Sequence, residues 1–153
     1  MTQITPEEDL PELQTAPTTV FYAQDVLERK FANGEFDRLK DDLKQFVLRH
    51  KAEIRQAVEE LPQIVDRRMR IVETIRTCVE ESKSVSPAAE MADQINEINN
   101  EIWYRGEEGI TDRARISEEW TRRYAAQWRN ARLQELLFLV QAMSDELVAL
   151  VEG

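Results

Sequence analysis

Helical spacing of apolar residues is the feature that most constrains how this chain can fold. The clearest run, which includes one histidine, comprises Phe36, Leu39, Leu43, Phe46, Val47, His50, Ile54, Val58 and Leu61. Steps of three and four place such residues on one face of a helix. Strand-like alternation never persists, and only four Gly and five Pro interrupt 153 residues. The sequence therefore predicts an all-α fold: an antiparallel helical bundle of four to five helices with a long C-terminal helix.

Composition divides the chain into two parts. Residues 1–17 hold three of the five prolines and only sparse, aperiodic apolar residues, which is typical of a flexible acidic tail. Residues 18–153 carry the helical spacing, and a chain of this length suits one domain. We therefore predict a single helical-bundle domain over residues 18–153, with its first helix capped by Thr18 or Thr19.

Capping residues predict several helix ends. Asn33–Gly34 should end the first helix, because glycine adopts the left-handed conformation without a Cβ clash. Ser86–Pro87 should begin a later helix, with Ser at the N-cap and Pro at the first helical position. Gly106 is the expected stop of that helix, whose apolar stripe consists of Met91, Ile95, Ile98 and Ile102.

Two other breaks are less regular. Pro62 interrupts the second helix, yet apolar spacing resumes at once at Val65. Either one long helix is kinked at Pro62 or two helices meet there, and the absence of loop residues favours a kink or tight break. Residues 105–112 contain two glycines and are interpreted as a loop. Asp112 or Ser117 should then cap a last helix that runs to about residue 151.

The last helix combines an aromatic stripe with a row of arginines. At about 100° per residue, Arg115, Arg122 and Arg129 lie opposite the stripe, so they should face water while the stripe faces the bundle. From Leu133 onward the helix is apolar almost all round, which suits a central helix or contact with another chain. The stripe covers an arc of about 140° and comprises Ile116, Trp120, Tyr124, Trp128, Ala131, Phe138, Leu139 and Ala142.

Glu135 and Arg132 do not fit this simple division, since Glu135 lies within the aromatic arc and Arg132 at its edge. A buried carboxylate must be paired or protonated. Glu135 is therefore either ion-paired, with Arg132 or a donor from another helix, or part of the floor of a polar pocket. The arginines of residues 105–132 leave a similar choice between pairing with the acidic helix at 90–101 and receiving an anion.

The net charge of −10 limits the classes of partner. General nucleic-acid binding needs a basic surface, and an anionic membrane would repel the chain. An acidic mimic of DNA is compatible with the charge, although both signs are spread along the sequence. The single cysteine, Cys78, precludes an internal disulfide, and no apolar run approaches the roughly 18 residues of a membrane span. We expect a cytoplasmic location without membrane or nucleic-acid binding.

No constellation of catalytic residues is evident. The acidic helix spaces Glu90, Asp93, Glu97 and Glu101 by three and four, but His50 is the only histidine and lacks the Glu-x-x-His context of a di-iron bundle. The glycines near residue 108 lack the Lys and Ser/Thr of a phosphate-binding loop. The sequence predicts no metal and no cofactor.

These observations favour a non-enzymatic helical protein that acts through protein–protein contacts. The contacts would be self-association through residues 133–151 or docking of a partner on the acidic helix. The alternative is a bundle, with or without enzymatic activity, that binds a small anionic ligand or nucleotide near the 103–109 loop. Its candidate ligand-binding residues are Trp103, Tyr104, Arg105, Tyr124, Trp128, Arg132 and Glu135.

Overall fold

The computed structural model describes residues 24–153, and this part of the chain is helical throughout apart from its connections. The predicted tail at 1–17 and the predicted cap at Thr18 or Thr19 lie outside the described residues. Seven helices follow one another: α1 Gln24–Ala32, α2 Asp37–Arg49, α3 Lys51–Val58, α4 Arg67–Ser82, α5 Pro87–Glu107, α6 Arg113–Ala142 and α7 Ser144–Glu152. The all-α prediction is confirmed, and a bundle is supported by the packing between helices.

Seven helices replace the expected four to five because two long segments are divided. The second predicted helix separates into α2 and α3 at His50, whose φ of −108° and ψ of 17° leave the helical region. The last predicted helix separates into α6 and α7 at Met143 in the same way, with φ −105° and ψ 20°. In both places the apolar spacing continues across the break, and periodicity alone therefore did not detect it.

Pro62 separates two helices, so the predicted kink or tight break is wrong. Residues 59–66 form a connection between α3 and α4, and these two helices pack against each other. Proline disfavours helical geometry at the residue before it. Asp66 then starts α4 as its N-cap by accepting hydrogen bonds from the backbone N–H groups of Arg68 and Met69.

Predicted caps elsewhere are largely confirmed. Gly34 follows α1 with φ +81°, Ser86 accepts from the N–H of Ala89 with Pro87 at the first turn of α5, and Asp112 caps α6. Gly106 is the exception. It lies inside α5, while Gly109, with φ +87°, follows the end of the helix. The connecting loop is thus shorter than predicted and begins at Glu108.

The main hydrophobic core lies among α2, α3, α4, α7 and the C-terminal part of α6. Its fully buried residues include Leu43, Val47, Ile71, Ile75, Leu136, Leu139 and Leu147. A second, smaller cluster lies between α5 and the N-terminal part of α6 and is formed by Trp120, Ala125 and Trp128, with Ile98 and Tyr124 packed against it. We call α5 together with residues 113–131 of α6 the α5–α6 hairpin.

The predicted division of α6 into a buried stripe and an exposed arginine row is confirmed for most of its members. Trp120 is fully buried, whereas Arg115, Arg122 and Arg129 are exposed. Ala142 is exposed rather than buried, since it lies at the end of α6 beside the break at Met143. Residues 133–151 are largely enclosed by the main core of the same chain, so intramolecular packing accounts for most of their apolar character.

Candidate functional site

The α5 helix turns its charged residues inward, apart from Glu107 at its end. Glu90, Glu101 and Arg105 are the buried residues of this helix, and Asp93 and Glu97 are half-buried. The predicted stripe has the opposite exposure: Met91 is 62% exposed and Ile95 47% exposed, while Ile98 and Ile102 are half-buried. Among the described helices, α5 makes its main contact with α6 alone, so the stripe lies to one side of the interface.

Ion pairs fill the distal part of the α5–α6 interface. The Arg105 Nε donates to Glu101 Oε2 at 2.8 Å within α5. Its Nη2 lies 3.4 Å from Glu119 Oε1 on α6. Pairing with two carboxylates offsets the cost of removing these charges from water. Arg105 therefore links the two helices rather than facing a loop.

Arg132 organises a second set of ion pairs near the main core. Its Nε donates to Glu135 Oε1 at 3.2 Å, its Nη2 lies 3.1 Å from Asp93 Oδ2, and its guanidinium lies 4.5 Å from the centre of the Trp128 ring. The predicted pairing of Glu135 with Arg132 is present. The predicted pairing of an α6 arginine with the acidic helix is also present. Arg132 thus joins α5 to α6.

Two further cations complete this network. Lys30 of α1 donates to Glu135 Oε2 at 3.2 Å, and Arg38 of α2 forms a bidentate pair with Asp93. Burial by itself disfavours ionised Asp93, but the hydrogen bonds and charges of Arg38 and Arg132 outweigh it, so the pKa of Asp93 is lowered. The network consequently ties α1, α2, α5 and α6 together.

This network lines a groove of about 410 Å³. In the described part of the chain its walls carry three basic side chains, Lys30, Arg38 and Arg132, and four acidic ones, Glu35, Asp93, Glu97 and Glu135. The three cations already contact Asp93 or Glu135. An anionic ligand would have to replace these carboxylates and would also meet four negative charges.

The seven predicted ligand-binding residues do not converge. Trp128, Arg132 and Glu135 line the groove, and Tyr124 packs against the hairpin cluster. Trp103, Tyr104 and Arg105 belong to helix α5 rather than to a loop, which corrects the prediction. At one end of the interface Asp93 contacts Arg132, and at the other end Arg105 contacts Glu119. Twelve residues separate Asp93 from Arg105, which is roughly 18 Å along a helix.

The exposed surface of α5 is uncharged as far as Gly106, and only the last residue of the helix, Glu107, is both charged and exposed. At the exposed positions from 87 to 106, this described helix has no charged side chain, although a third of the whole chain is charged. Trp103 is 62% exposed and packs edge-on against Tyr104, with 5.2 Å between ring centres. We define the α5 face as these exposed positions, and its larger members are Met91, Ile95, Asn96, Asn99, Asn100, Trp103 and Tyr104.

Comparisons with protein-family models, with curated proteins and with solved structures find no match.

Two findings concern the described residues as a whole. Between residues 24 and 153, no group of three or more His, Cys, Asp or Glu side chains is arranged to hold a metal ion. Over the same range, none of the helices combines the length and the apolar character needed to cross a bilayer.

His50 and Cys78 line a separate groove between α3 and α4. The His50 Nδ1 donates to the carbonyl oxygen of Phe46 at 2.9 Å, and its ring stacks on the Phe46 ring with 4.3 Å between centres. Burial raises the pKa of the Cys78 thiol, with further contributions from Glu53 and Glu81. A raised pKa reduces the thiolate population, and Cys78 is thus not an activated nucleophile.

The sequence did not predict that Lys30 and Arg38 belong to the network. It also did not predict the α5 face as a surface. Lys30 is 105 residues from Glu135, and Arg38 is 55 residues from Asp93. No local spacing could connect such distant pairs. A signal for the α5 face was present, because the stripe from Met91 to Ile102 and the acidic row from Glu90 to Glu101 occupy neighbouring faces of one helix.

Proposed function

We propose that this is a non-enzymatic helical protein that acts through protein–protein contacts, and that the α5 face is its contact surface. The observation that carries the proposal is the exposure of Met91, Ile95 and Trp103 on a face without charges, while the charged residues of the same helix before Glu107 are buried or half-buried. Interfaces are depleted of charge at their centre and enriched in aromatic residues and Met. The α5 face has this composition.

Energetics support a surface that is covered in the functional state. Burying apolar surface contributes roughly 25 cal/mol per Å², and large contiguous exposed apolar patches mark interaction sites. Charged residues on α5 could have been exposed at little cost, since water solvates them. Instead Glu101 and Asp93 are held in ion pairs with Arg105 and Arg132, and the outer face up to Gly106 is left to apolar, amide and aromatic side chains.

The alternative function, binding of a small anion or nucleotide near Arg132 and Glu135, has weaker support. The groove is large enough for a small ligand, but its cations are already paired with carboxylates of the same groove. Trp103, Tyr104 and Arg105 lie near the other end of the hairpin interface. A non-enzymatic role is consistent with charged groups that are engaged in structural pairs.

A cytoplasmic location belongs to the same proposal. It is supported by the use of a single cysteine, which leaves no internal disulfide to maintain.

Position-specific photo-crosslinking in the native cell tests the proposed function. A photoreactive amino acid replaces Met91 on the α5 face or, as control, the exposed Arg122 on α6. We expect a defined adduct from position 91 that position 122 does not give, because a partner covers only the α5 face. Identifying the adduct by mass spectrometry then allows binding to be measured with purified components.

The Ile95→Glu variant provides the decisive comparison in that binding measurement. It should weaken binding of the identified partner at least about tenfold, since a buried unpaired carboxylate in an interface costs several kcal/mol. Equal adducts at positions 91 and 122, or binding that Ile95→Glu leaves unchanged, would contradict the proposed function.

A further inference from the structure

The apolar residues of α5 have the spacing of a coiled-coil seam. Met91, Ile95, Ile98 and Ile102 are separated by four, three and four residues. At about 100° per residue they fall within an arc of about 60°. Alternating steps of three and four are the a and d positions through which two helices interlock. Within the hairpin, Ile98 is half-buried against the Trp120–Trp128 cluster of α6, and Ile102 is also half-buried. Met91 and Ile95 are the members of the seam that remain exposed.

Residues that flank this seam decide which partner it can accept. On its exposed side lie Ala88, Ala92, Asn99 and Gly106, all uncharged. Coiled coils that choose a different partner use complementary charges at the flanking positions. The exposed flank of α5 offers no charge with which to select a basic or an acidic partner. It is compatible with an identical surface, because two copies bring no like charges into contact there.

The overall charge strengthens this argument. Each chain carries −10, so two copies repel one another wherever acidic surfaces meet. A contact through α5 avoids this repulsion, since the exposed positions from 87 to 106 are neutral. A second copy of the chain can therefore bind the α5 face without charge repulsion at the contact.

We propose that the α5 face binds the α5 face of a second copy, with the two helices antiparallel about a twofold axis. This inference rests on the proposed function and names its partner. The helix end at Pro87 lies beside the main core, where Asp93 contacts Arg38 and Arg132, whereas the end at Glu107 is the tip of the hairpin. An antiparallel pair places the two main cores at opposite ends of the contact, where they do not collide, whereas a parallel pair would bring them side by side.

Antiparallel pairing also matches residues across the axis. In this register the first seam residue of one copy, Met91, lies opposite the last seam residue of the other, Ile102. The same register brings Ile95 opposite Ile98.

The size of the surface sets the strength of the association. A helix of 21 residues is about 31 Å long, and one such helix per copy provides an interface near the lower end of the range, about 1,200 Å² in total. Interfaces of this size are reversible, and we expect a dissociation constant on the order of micromolar.

Analytical ultracentrifugation of the full chain over a wide concentration range tests the second-copy assignment. The wild type should pass from monomer to dimer, and Ile95→Glu should raise the dissociation constant at least about tenfold. Arg122→Gln is the matched control, because it lowers the net charge by the same one unit on the exposed side of α6. Its dissociation constant should stay within about twofold of wild type.

Folding of each variant is checked by circular dichroism, and Met91→Glu serves as a second variant because Met91 is largely exposed. A wild-type chain that stays monomeric up to about 1 mM, where affinity becomes negligible, would overturn the inference. A dimer that persists in both Ile95→Glu and Met91→Glu would also overturn it.

Failure of this inference is distinguishable from failure of the proposed function. A monomeric chain that still gives a specific adduct to a different protein from position 91 refutes the second copy alone. A monomeric chain without any specific adduct refutes both.

Disulfide trapping tests the orientation. Ala92→Cys and Asn99→Cys are made separately in a Cys78→Ala background and are mixed under mild oxidation. Antiparallel helices bring position 92 of one copy near position 99 of the other, so the mixed disulfide should form faster than either self-disulfide. A mixed disulfide that forms no faster than the self-disulfides would overturn the antiparallel arrangement.

Discussion

Charged residues with low exposure determine how the helices of this protein meet. Glu135 accepts hydrogen bonds from Lys30 and Arg132, and Asp93 binds Arg38 and Arg132. Each charge has at least one partner from another helix or a later turn, as buried charges require. The arrangement therefore links α1 and α2 to the hairpin, and single substitutions within it should have measurable effects.

Replacing Glu135 should destabilise the fold. Glu135→Ala leaves Lys30 and Arg132 without their shared carboxylate in a poorly hydrated site. We expect the free energy of unfolding to fall by about 2 kcal/mol, as typical for hydrogen bonds to charged groups. Urea denaturation followed by circular dichroism measures this change. Glu118→Ala, at an exposed position of the same helix, should change stability by less than about 0.5 kcal/mol; equal effects would show that the network contributes little.

Glu90 should give the opposite result at neutral pH. Burial raises the pKa of its carboxyl above the ordinary value of 4.5, despite a hydrogen bond with Ser84 and the charges of Arg132 and Arg129. A raised folded-state pKa means that ionisation opposes folding, and the associated stability is lost as pH rises through that pKa. Glu90→Gln should thus raise the melting temperature at pH 7.

The pH dependence provides the control for Glu90→Gln. As pH falls towards 4.5, the wild-type carboxyl becomes protonated in the folded state, and the advantage of the variant should shrink. Melting temperatures from pH 4 to 8 measure this. A constant difference across the range would indicate an effect of packing rather than of ionisation.

At the scale of the element, side-chain capping accounts for the starts of three of the seven described helices, α4, α5 and α6, and for neither internal break. Ser86, Asp66 and Asp112 cap their helices through side-chain hydrogen bonds, which is a short-range interaction that sequence can show. The breaks at His50 and Met143 have no such signature. They let α3 and α7 turn towards α4 within one continuous apolar pattern, so tertiary packing decides their positions.

The two glycines near the hairpin tip offer a matched test of helix ends. Gly106 lies inside α5 with open space where a Cβ would be, whereas Gly109 has φ +87°. Gly106→Ala should stabilise the protein by about 0.5–1 kcal/mol, because alanine is the better helix former. Gly109→Ala should destabilise it by about 1 kcal/mol, because its backbone conformation is strained for alanine. Thermal denaturation shows whether each variant is more or less stable than the wild type. If Gly106→Ala destabilised the protein and Gly109→Ala stabilised it, Gly106 would be the end of the helix.

At the scale of the whole molecule, two hydrophobic clusters of unequal size within residues 24–153 share helix α6. The main core draws on α2, α3, α4, α6 and α7, while the hairpin cluster relies on Trp120, Trp128 and a few neighbours. Regions with smaller cores open at lower free-energy cost. The hairpin should therefore respond to substitutions separately from the main core.

Hydrogen exchange can separate these two units. Trp120→Ala removes a fully buried side chain, at a cost of about 3–5 kcal/mol, and should speed amide exchange along α5 and residues 113–131 while α3 and α4 stay protected. Leu147→Ala, in the main core, should speed exchange in α3, α4 and α7. Uniform acceleration by both variants would show that the molecule opens as one unit.

Much of this architecture could be inferred before the structure was known, whereas the candidate site could not. Local capping and apolar spacing predicted α5 from Ser86 and the buried aromatic stripe of α6. The same rules placed Trp103 and Arg105 in a loop near Arg132, because they cannot measure how far apart two residues lie once helices pair. The structure instead assigns Arg105 to one end of the hairpin interface and Arg132 to the other.

The helical class, the starts of α5 and α6 and the inward side of α6 follow from the sequence, since each depends on residues within a few turns of one another. The inward side of α5 depends instead on contacts between helices. Apolar spacing favours burial of Met91 and Ile95, but α6 presents Glu119 and Arg132 to α5, and these pair with Arg105 and Asp93. An ion pair of this kind stabilises the fold only when both of its partners are removed from water together. Whether that happens depends on which helices pack against each other.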